Sequence, residues 1–167
     1  IAGQFSGRFD VTDENNALKS GYDPVARAWP EWSGRAGFDI AFIPNVVAAG
    51  QHTGGILPAV ARRFGLPTDV AIVAGTTDGC AAFLASGARD PGDGVTSLGT
   101  TLTLKLLSDR PVFAPRYGIY SHRIGDQWLA GGASNTGGAV LGKFFSGDDI
   151  ARLTLLLEPD LPTGLDY

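Results

Sequence analysis

Apolar residues recur at helical spacing in the first half of the chain. From residue 54 to 64 they return every three or four positions, which predicts a helix with one buried face. Gly65, directly after this run, is a residue typical of helix ends. Closer to the start, Asp13 precedes a short stretch that ends at Gly21, and its carboxylate is suited to cap a short helix there.

A continuous apolar run over residues 70–74 predicts a different element, a strand buried on both faces as in a parallel sheet. Gly75 then makes a turn, and Thr76 or Thr77 is expected to cap the helix that follows. Small residues continue that helix over 79–88. The sequence therefore predicts a strand–turn–helix unit of an α/β fold.

Turn-forming residues at 89–94 separate this α/β half from a β-rich half. In the β-rich half, we expect a hairpin over 95–107, strands over 117–123 and 127–130 with a turn at Gly125 and Asp126, a glycine-rich turn at Gly131 and Gly132, and helices over 137–145 and 148–157.

Composition narrows the class of protein. Hydrophobic residues make up 44% of the 167 residues and charged residues 18%, which suits a packed core and not a disordered tail. The net charge of -4 argues against nucleic acid or an anionic membrane as the main partner. A single cysteine excludes an intramolecular disulfide and a cysteine-based zinc site, and it fits a reducing cytoplasm.

Glycine is unusually frequent, at 24 of 167 residues, which indicates tight turns and backbone that approaches a ligand closely. No apolar run approaches the roughly 18 residues that span a bilayer, so we expect no membrane insertion. The chain starts at Ile1, inside a predicted element and without Met, so we expect a piece of a longer protein.

An acidic residue, Asp78, falls where the strand over 70–74 gives way to the helix. Ligands of open α/β sheets gather at the carboxyl ends of the strands, and the positive end of the helix dipole favours an ionised carboxylate. Such a group can accept the proton of a bound hydroxyl while the hydroxyl oxygen attacks the terminal phosphate of a nucleotide. The alternative is that Asp78 only caps the helix, as Asp commonly does.

About twenty residues later, Gly99, Thr100 and Thr101 lie within a predicted strand–turn–strand. Glycine allows close backbone approach, and the threonine hydroxyls and N–H groups can donate to phosphate oxygens. This pattern predicts a phosphate-binding turn. The alternative is that the β-branched threonines simply favour a strand.

A second glycine-rich turn, over residues 131–138, leads into a predicted helix and can present N–H groups to an anion. A tight connection capped by Ser134 or Asn135 is the alternative. Residues 137–143 match the spacing of a P-loop, but Phe144 replaces the Ser or Thr that would hold magnesium, so we reject a P-loop.

The remaining candidates for chemistry carry weaker signals. His52 and His122 stand far apart in the sequence without companion ligands, so no metal site is predicted. Cys80, within an alanine-rich helix, is expected to be a small buried packing residue.

Four segments in order give the chain a resemblance to the FGGY carbohydrate kinases. They are residues 12–23, 75–79, 97–101 and 131–135, and the similarity extends over residues 1–157. It points to the xylulokinase-like and ribulokinase-like branch of that family.

The resemblance implies an actin-like ATPase fold, with two ribonuclease-H-like domains and a catalytic cleft between them. Residues 1–90 would be the C-terminal part of the first, sugar-binding domain, and residues 91–167 the N-terminal part of the second, nucleotide-binding domain. Family members begin with an Asp-x-Gly-Thr strand that holds magnesium and phosphate, and this segment is absent here. We therefore expect the chain to be the middle part of a kinase.

The resemblance also assigns roles to residues. Asp78 would be the general base that activates the sugar hydroxyl, with Thr77 beside it in the sugar site. ATP and Mg²⁺ are the implied cofactors, and no metal ligand is assigned to this chain. The nucleotide would be approached by Gly99, Thr100, Thr101, Gly132 and Thr136.

By this resemblance the chain belongs to an ATP-dependent kinase of an open-chain sugar, with the ketopentoses D-ribulose and D-xylulose as favoured acceptors. The expected partners are the sugar, ATP and the remaining segments of the same kinase, in the cytoplasm, and the fragment alone is expected to be inactive. Two alternatives stay open: a kinase of another polyol such as glycerol or erythritol, and a non-catalytic sugar- or nucleotide-binding module. Self-association into a homodimer is also open.

Overall fold

The computed structural model describes residues 1–162 and residue 164, which cluster into two units. The first unit comprises Ile1–Val95 and Leu104–Gly132, and the second comprises Thr96–Thr103 and Ala133–Tyr167. In the described part of the chain, no helix has the length and apolar character needed to cross a membrane. The boundary that we predict between residues 90 and 91 separates two domains of the family to which the chain has a resemblance, and it stays a prediction.

Short elements make up the first unit. Its helices are α1 (Ala2–Ser6), α2 (Glu14–Leu18), α3 (Trp32–Arg35), α4 (Pro58–Phe64) and α5 (Asp78–Ala85), and its strands include β1 (Val11–Asp13), β2 (Asn45–Val47), β3 (His52–Gly55) and β4 (Ala71–Val73). Two 3-10 turns lie at Ile40–Phe42 and Pro115–Tyr117.

The β-rich half follows in the chain. Its strands are β5 (Gly94–Leu98), β6 (Leu102–Ser108), β7 (Tyr120–Ile124) and β8 (Gln127–Ser134), followed by a 3-10 helix (Gly138–Lys143) and α6 (Gly147–Thr154). These strands form a four-stranded sheet in the order β5-β6-β8-β7, and β5, β6 and β8 contribute residues to both units.

Several local predictions are confirmed. The Asp13 carboxylate caps α2 by accepting hydrogen bonds from the backbone N–H groups of Asn15 and Asn16, each at 3.0 Å. Gly65 ends α4 in the left-handed conformation, with a φ of 65°. Gly125, with a φ of 59°, turns the chain between the antiparallel strands β7 and β8.

The predicted buried parallel strand over 70–74 is wrong. Strand β4 is shorter and pairs antiparallel with β3, while β1 and β2 form a separate parallel pair. Val73 is 51% exposed. Among the described residues β4 has a single hydrogen-bonded neighbour, so an apolar run does not by itself bury both faces of a strand.

Four helix predictions need new bounds. Helix α5 begins at Asp78 and ends at Ala85, ahead of the predicted residue 88. Helix α4 starts at Pro58 and not at residue 54, because Gly54 and Gly55 belong to β3 and proline suits the first turn of a helix. The helix predicted over 137–145 is a 3-10 helix. Helix α6 ends at Thr154, ahead of the predicted residue 157.

Gly131 and Gly132 lie inside β8, so the glycine-rich turn predicted there is wrong. The reason is space: a Cβ on Gly131 would lie 2.7 Å from Cδ of Lys105 and 3.0 Å from the backbone oxygen of Leu104. The absence of a side chain at Gly131 therefore allows the Lys105 side chain to cross β8 without breaking the strand.

A hydrophobic core cluster of the first unit consists of four buried side chains. Two belong to α5, Cys80 and Phe83, and two belong to the sheet, Leu107 on β6 and Leu129 on β8. All four are at most 2% exposed. This packing fixes α5 against the sheet, and it confirms that Cys80 is a buried packing residue.

Replacement of Leu107 by alanine should lower the free energy of unfolding by about 2–5 kcal/mol, because it leaves a cavity in this core. The neighbouring Leu106 is 48% exposed, and Leu106→Ala should cost less than about 1 kcal/mol. Urea unfolding of the two variants checks the prediction. Equal losses of stability would contradict the position of the core.

Candidate active site

Asp78 is the first residue of α5, as the sequence predicted, and its side chain is exposed. One carboxylate oxygen, Oδ1, accepts a hydrogen bond from the N–H of Gly79 at 2.7 Å. The other oxygen has no hydrogen-bond partner among the described residues. The carboxylate thus satisfies one free N–H of the first helical turn and keeps a second oxygen available to a ligand.

The two threonines before Asp78 do not cap the helix with their side chains. Thr77 occupies the N-cap position with extended backbone, but its hydroxyl makes no capping hydrogen bond. The hydroxyl of Thr76 instead accepts a hydrogen bond from Nδ2 of Asn15 at 2.9 Å. The predicted side-chain cap is therefore wrong, because the Thr76 hydroxyl is engaged by another element.

In the second unit, the turn at Gly99, Thr100 and Thr101 is in backbone contact with the glycine pair Gly137 and Gly138. The N–H of Gly138 donates to the backbone oxygen of Gly99 at 2.7 Å. A Cβ on Gly137 would lie 2.6 Å from the backbone oxygen of Thr100 and would overlap the carbonyl carbon of Thr101. The structure thus brings residues 99–101, which are exposed, into contact with Gly137 and Gly138, the last two residues of the second predicted turn.

The other two residues predicted to contact the nucleotide, Gly132 and Thr136, have different surroundings. Thr136 is exposed, and its N–H donates to the Ser134 hydroxyl at 3.1 Å, so it belongs to the turn before Gly137. Gly132 belongs to the first unit, where its Cβ position lies 3.4 Å from the Ile119 side chain.

Lys105 is a residue of the site region that sequence reasoning missed. Its ammonium nitrogen lies 3.9 Å from the Cβ position of Gly79, in the first turn of α5. It has no ion-pair partner in the part of the chain that the structure describes. The available signal was a single lysine within the otherwise uncharged strand β6.

His122 on β7 is 2% exposed, and neither ring nitrogen has a hydrogen-bond partner among the described residues. Its ring lies 5.1 Å from that of Tyr120. Burial, together with the positive charges of Lys105 and Lys19, lowers the pKa of His122 to about 4. The imidazole is therefore neutral at pH 7.

Within residues 1–162 and 164, no group of three His, Cys, Asp or Glu side chains is placed to hold a metal ion.

Comparisons with known proteins bear on the fold of the chain. No family model matches the chain. A ribulokinase from Halalkalibacterium halodurans is 35% identical over 66 residues, which are 40% of this chain and 12% of that protein. The xylulose kinase of Rhodospirillum rubrum has a TM-score of 0.82 at 22% identity, over 98% of this chain and 35% of that one. A ligand-bound xylulose kinase from Lactobacillus acidophilus has a TM-score of 0.79 at 18% identity, over 95% of this chain and 34% of that one.

The chain is a segment of the sugar-kinase fold. The similarity to the FGGY carbohydrate kinases and the actin-like ATPase fold class are thereby confirmed. The segment spans about a third of the length of these two kinase structures, 34% and 35%.

A backbone clash tests the contact between the two glycine-rich turns. Gly137→Ala should lower the free energy of unfolding by about 1–3 kcal/mol, because the atoms that the new Cβ meets are backbone atoms. Gly142→Ala, in the 3-10 helix that follows Gly137, meets nothing within 4 Å and should be neutral or slightly stabilising. Thermal unfolding of both variants checks this, and equal stability would contradict the contact.

The neutral, buried His122 predicts a pH dependence of stability. Its pKa in the folded protein is about 4, below the ordinary 6.5, so between these values the unfolded state binds a proton that the folded state excludes. This group should lower the free energy of unfolding as the pH falls through that window, by up to about 1.4 kcal/mol per pH unit. His122→Leu should remove that component of the slope in urea unfolding between pH 4 and 7. An unchanged slope would contradict the assignment.

Proposed function

We propose that this chain is the middle part of an ATP-dependent sugar kinase of the FGGY type. The observation that carries the proposal is the exposed carboxylate of Asp78, on the first residue of a helix that follows the carboxyl end of β4. The matched proteins include a ribulokinase and xylulose kinases, which favours the ketopentoses D-ribulose and D-xylulose as acceptors, and a glycerol kinase, which keeps the polyol alternative open.

In the proposed reaction, Oδ2 of Asp78, the carboxylate oxygen that does not accept from Gly79, takes the proton of a sugar hydroxyl. The hydroxyl oxygen forms a bond to the γ-phosphorus of ATP, the bond from that phosphorus to the β–γ bridging oxygen breaks, and ADP leaves. Thr77 borders the sugar in this proposal. Most of the catalysis comes from positioning and electrostatics.

The nucleotide is proposed to bind through the turn at Gly99, Thr100 and Thr101. The turn suits phosphate oxygens because it is exposed and carries two hydroxyl groups and glycine backbone. Gly132 and Thr136 are proposed to approach the rest of the nucleotide, by resemblance to the family.

Mg²⁺ neutralises phosphate charge in such reactions. We assign no Mg²⁺ ligand to this chain and propose that the remaining segments of the same kinase supply them. In that kinase, residues 1–90 end the sugar-binding domain and residues 91–167 begin the nucleotide-binding domain, in the cytoplasm. The isolated chain should release no ADP in response to sugar.

An acceptor panel separates this proposal from its alternatives. The full-length protein is assayed for ADP release with D-ribulose, D-xylulose, glycerol and erythritol. Turnover with glycerol or erythritol alone would show that the acceptor is another polyol and not a ketopentose. Absence of turnover with every acceptor would favour a non-catalytic binding module.

The Asp78→Asn variant tests the general base. It should lower turnover on the order of 10²–10⁴-fold, because the amide cannot accept the proton, and should leave ATP binding largely intact. Asp126→Asn makes the same chemical change in the exposed β7–β8 turn and should leave turnover unchanged. Wild-type turnover of the Asp78→Asn variant would show that Asp78 is not the general base and only caps the helix.

A further inference from the structure

Asn15 is a buried amide that joins three segments of the first unit. It is 1% exposed, at the start of α2. Its Nδ2 donates to the Thr76 hydroxyl and to the backbone oxygen of Arg123, both at 2.9 Å. Its Oδ1 accepts from the N–H of Arg123 at 3.0 Å. Both amide N–H donors and the carbonyl oxygen are thus used, over separations of 61 and 108 residues.

The position of Asn15 is itself fixed. The carboxylate of Asp13 accepts from the backbone N–H of Asn15 at 3.0 Å, and Asp13 is also buried. The two hydrogen bonds to Arg123 attach the side chain to the backbone of β7. Asn15 therefore presents its second N–H to Thr76 from a rigid support on two elements.

The turn that receives this hydrogen bond is otherwise lightly held. Among the described residues, neither Gly75 nor Thr76 makes a backbone hydrogen bond. A Cβ on Gly75 would meet nothing within 4 Å. The hydroxyl of Thr76 is thus the attachment point of the turn, two residues before Asp78. Further along, α5 is held by the buried side chains of Cys80 and Phe83.

We propose that Asn15 is a positioning residue for phosphoryl transfer, acting through the Thr76 hydroxyl to set the place of the Asp78 carboxylate. The inference rests on the proposed role of Asp78 as the general base. A displacement of about 1 Å at a reacting group can cost on the order of 10²-fold in rate. Loss of one hydrogen bond in the turn can therefore lower turnover without removing any group that touches the substrate.

The test uses Thr76→Val in the full-length protein, with ATP and D-ribulose or D-xylulose. Valine keeps the shape of threonine and removes the hydroxyl that accepts from Asn15. We expect kcat to fall about 10- to 100-fold with an unchanged KM for ATP. Thr76→Ser, which keeps the hydroxyl, should restore most of the activity.

Two controls separate positioning from a loss of stability. Thr53→Val removes a similar part-buried hydroxyl bond, from Thr53 to the backbone oxygen of Ile72 at 3.0 Å, and should leave kcat unchanged. Thermal unfolding shows whether each variant is folded at the assay temperature. Thr76→Ala removes the same hydroxyl with room for a water molecule, and it replaces Thr76→Val if that variant does not fold.

The double variant Thr76→Val/Asp78→Asn decides the mechanism. If the hydroxyl acts through the carboxylate, adding Thr76→Val to Asp78→Asn should lower the residual turnover less than about twofold. A further drop as large as that caused by Thr76→Val alone would overturn the inference, as would wild-type kcat in Thr76→Val. If Asp78→Asn alone keeps wild-type turnover, the proposed general base has failed, and the inference falls with it for that separate reason.

Discussion

The burial of Cys80 and Phe83 against Leu107 and Leu129 is the interaction on which the candidate site depends. The side chains of Cys80 and Phe83 fix α5 on the sheet, and the first residue of α5 is Asp78. The carboxylate is therefore exposed while its backbone is held by a packed core. A group that must meet a substrate at a defined distance needs both conditions, access for the ligand and a rigid support.

Close backbone approach explains two of the glycines in the structure. At Gly137 a side chain would overlap the turn at Thr101, and at Gly131 it would displace Lys105. Neither position requires the left-handed region of backbone conformation, since Gly137 has a φ of -110° and Gly131 lies within a strand. The first glycine joins two turns, and the second makes room for a cation beside the first turn of α5.

Features set by neighbouring residues could be predicted from the sequence. The Asp13 cap, the Gly65 stop and the Gly125 turn depend on side-chain chemistry and backbone freedom at single positions. The place of Asp78 at a helix start follows from the same local signals.

Features set by distant residues could not be predicted in this way. The antiparallel partner of β4 is decided by which segments come together, and a run of apolar residues does not specify its neighbour. Asn15 bonds to Thr76 and Arg123 across 61 and 108 residues, so no local pattern marks it. Gly131 resembles a turn residue in the sequence. Its lack of a side chain is instead required by the Lys105 side chain, which comes from another strand.

The most direct test of the central claim is a crystal structure of the full-length protein with D-ribulose or D-xylulose and a non-hydrolysable ATP analogue. We predict that the acceptor hydroxyl lies about 2.6–3.2 Å from a carboxylate oxygen of Asp78. We also predict that the turn at Gly99, Thr100 and Thr101 donates hydrogen bonds to phosphate oxygens. A sugar hydroxyl bound away from Asp78, with the Asp78 carboxylate facing solvent, would contradict the account.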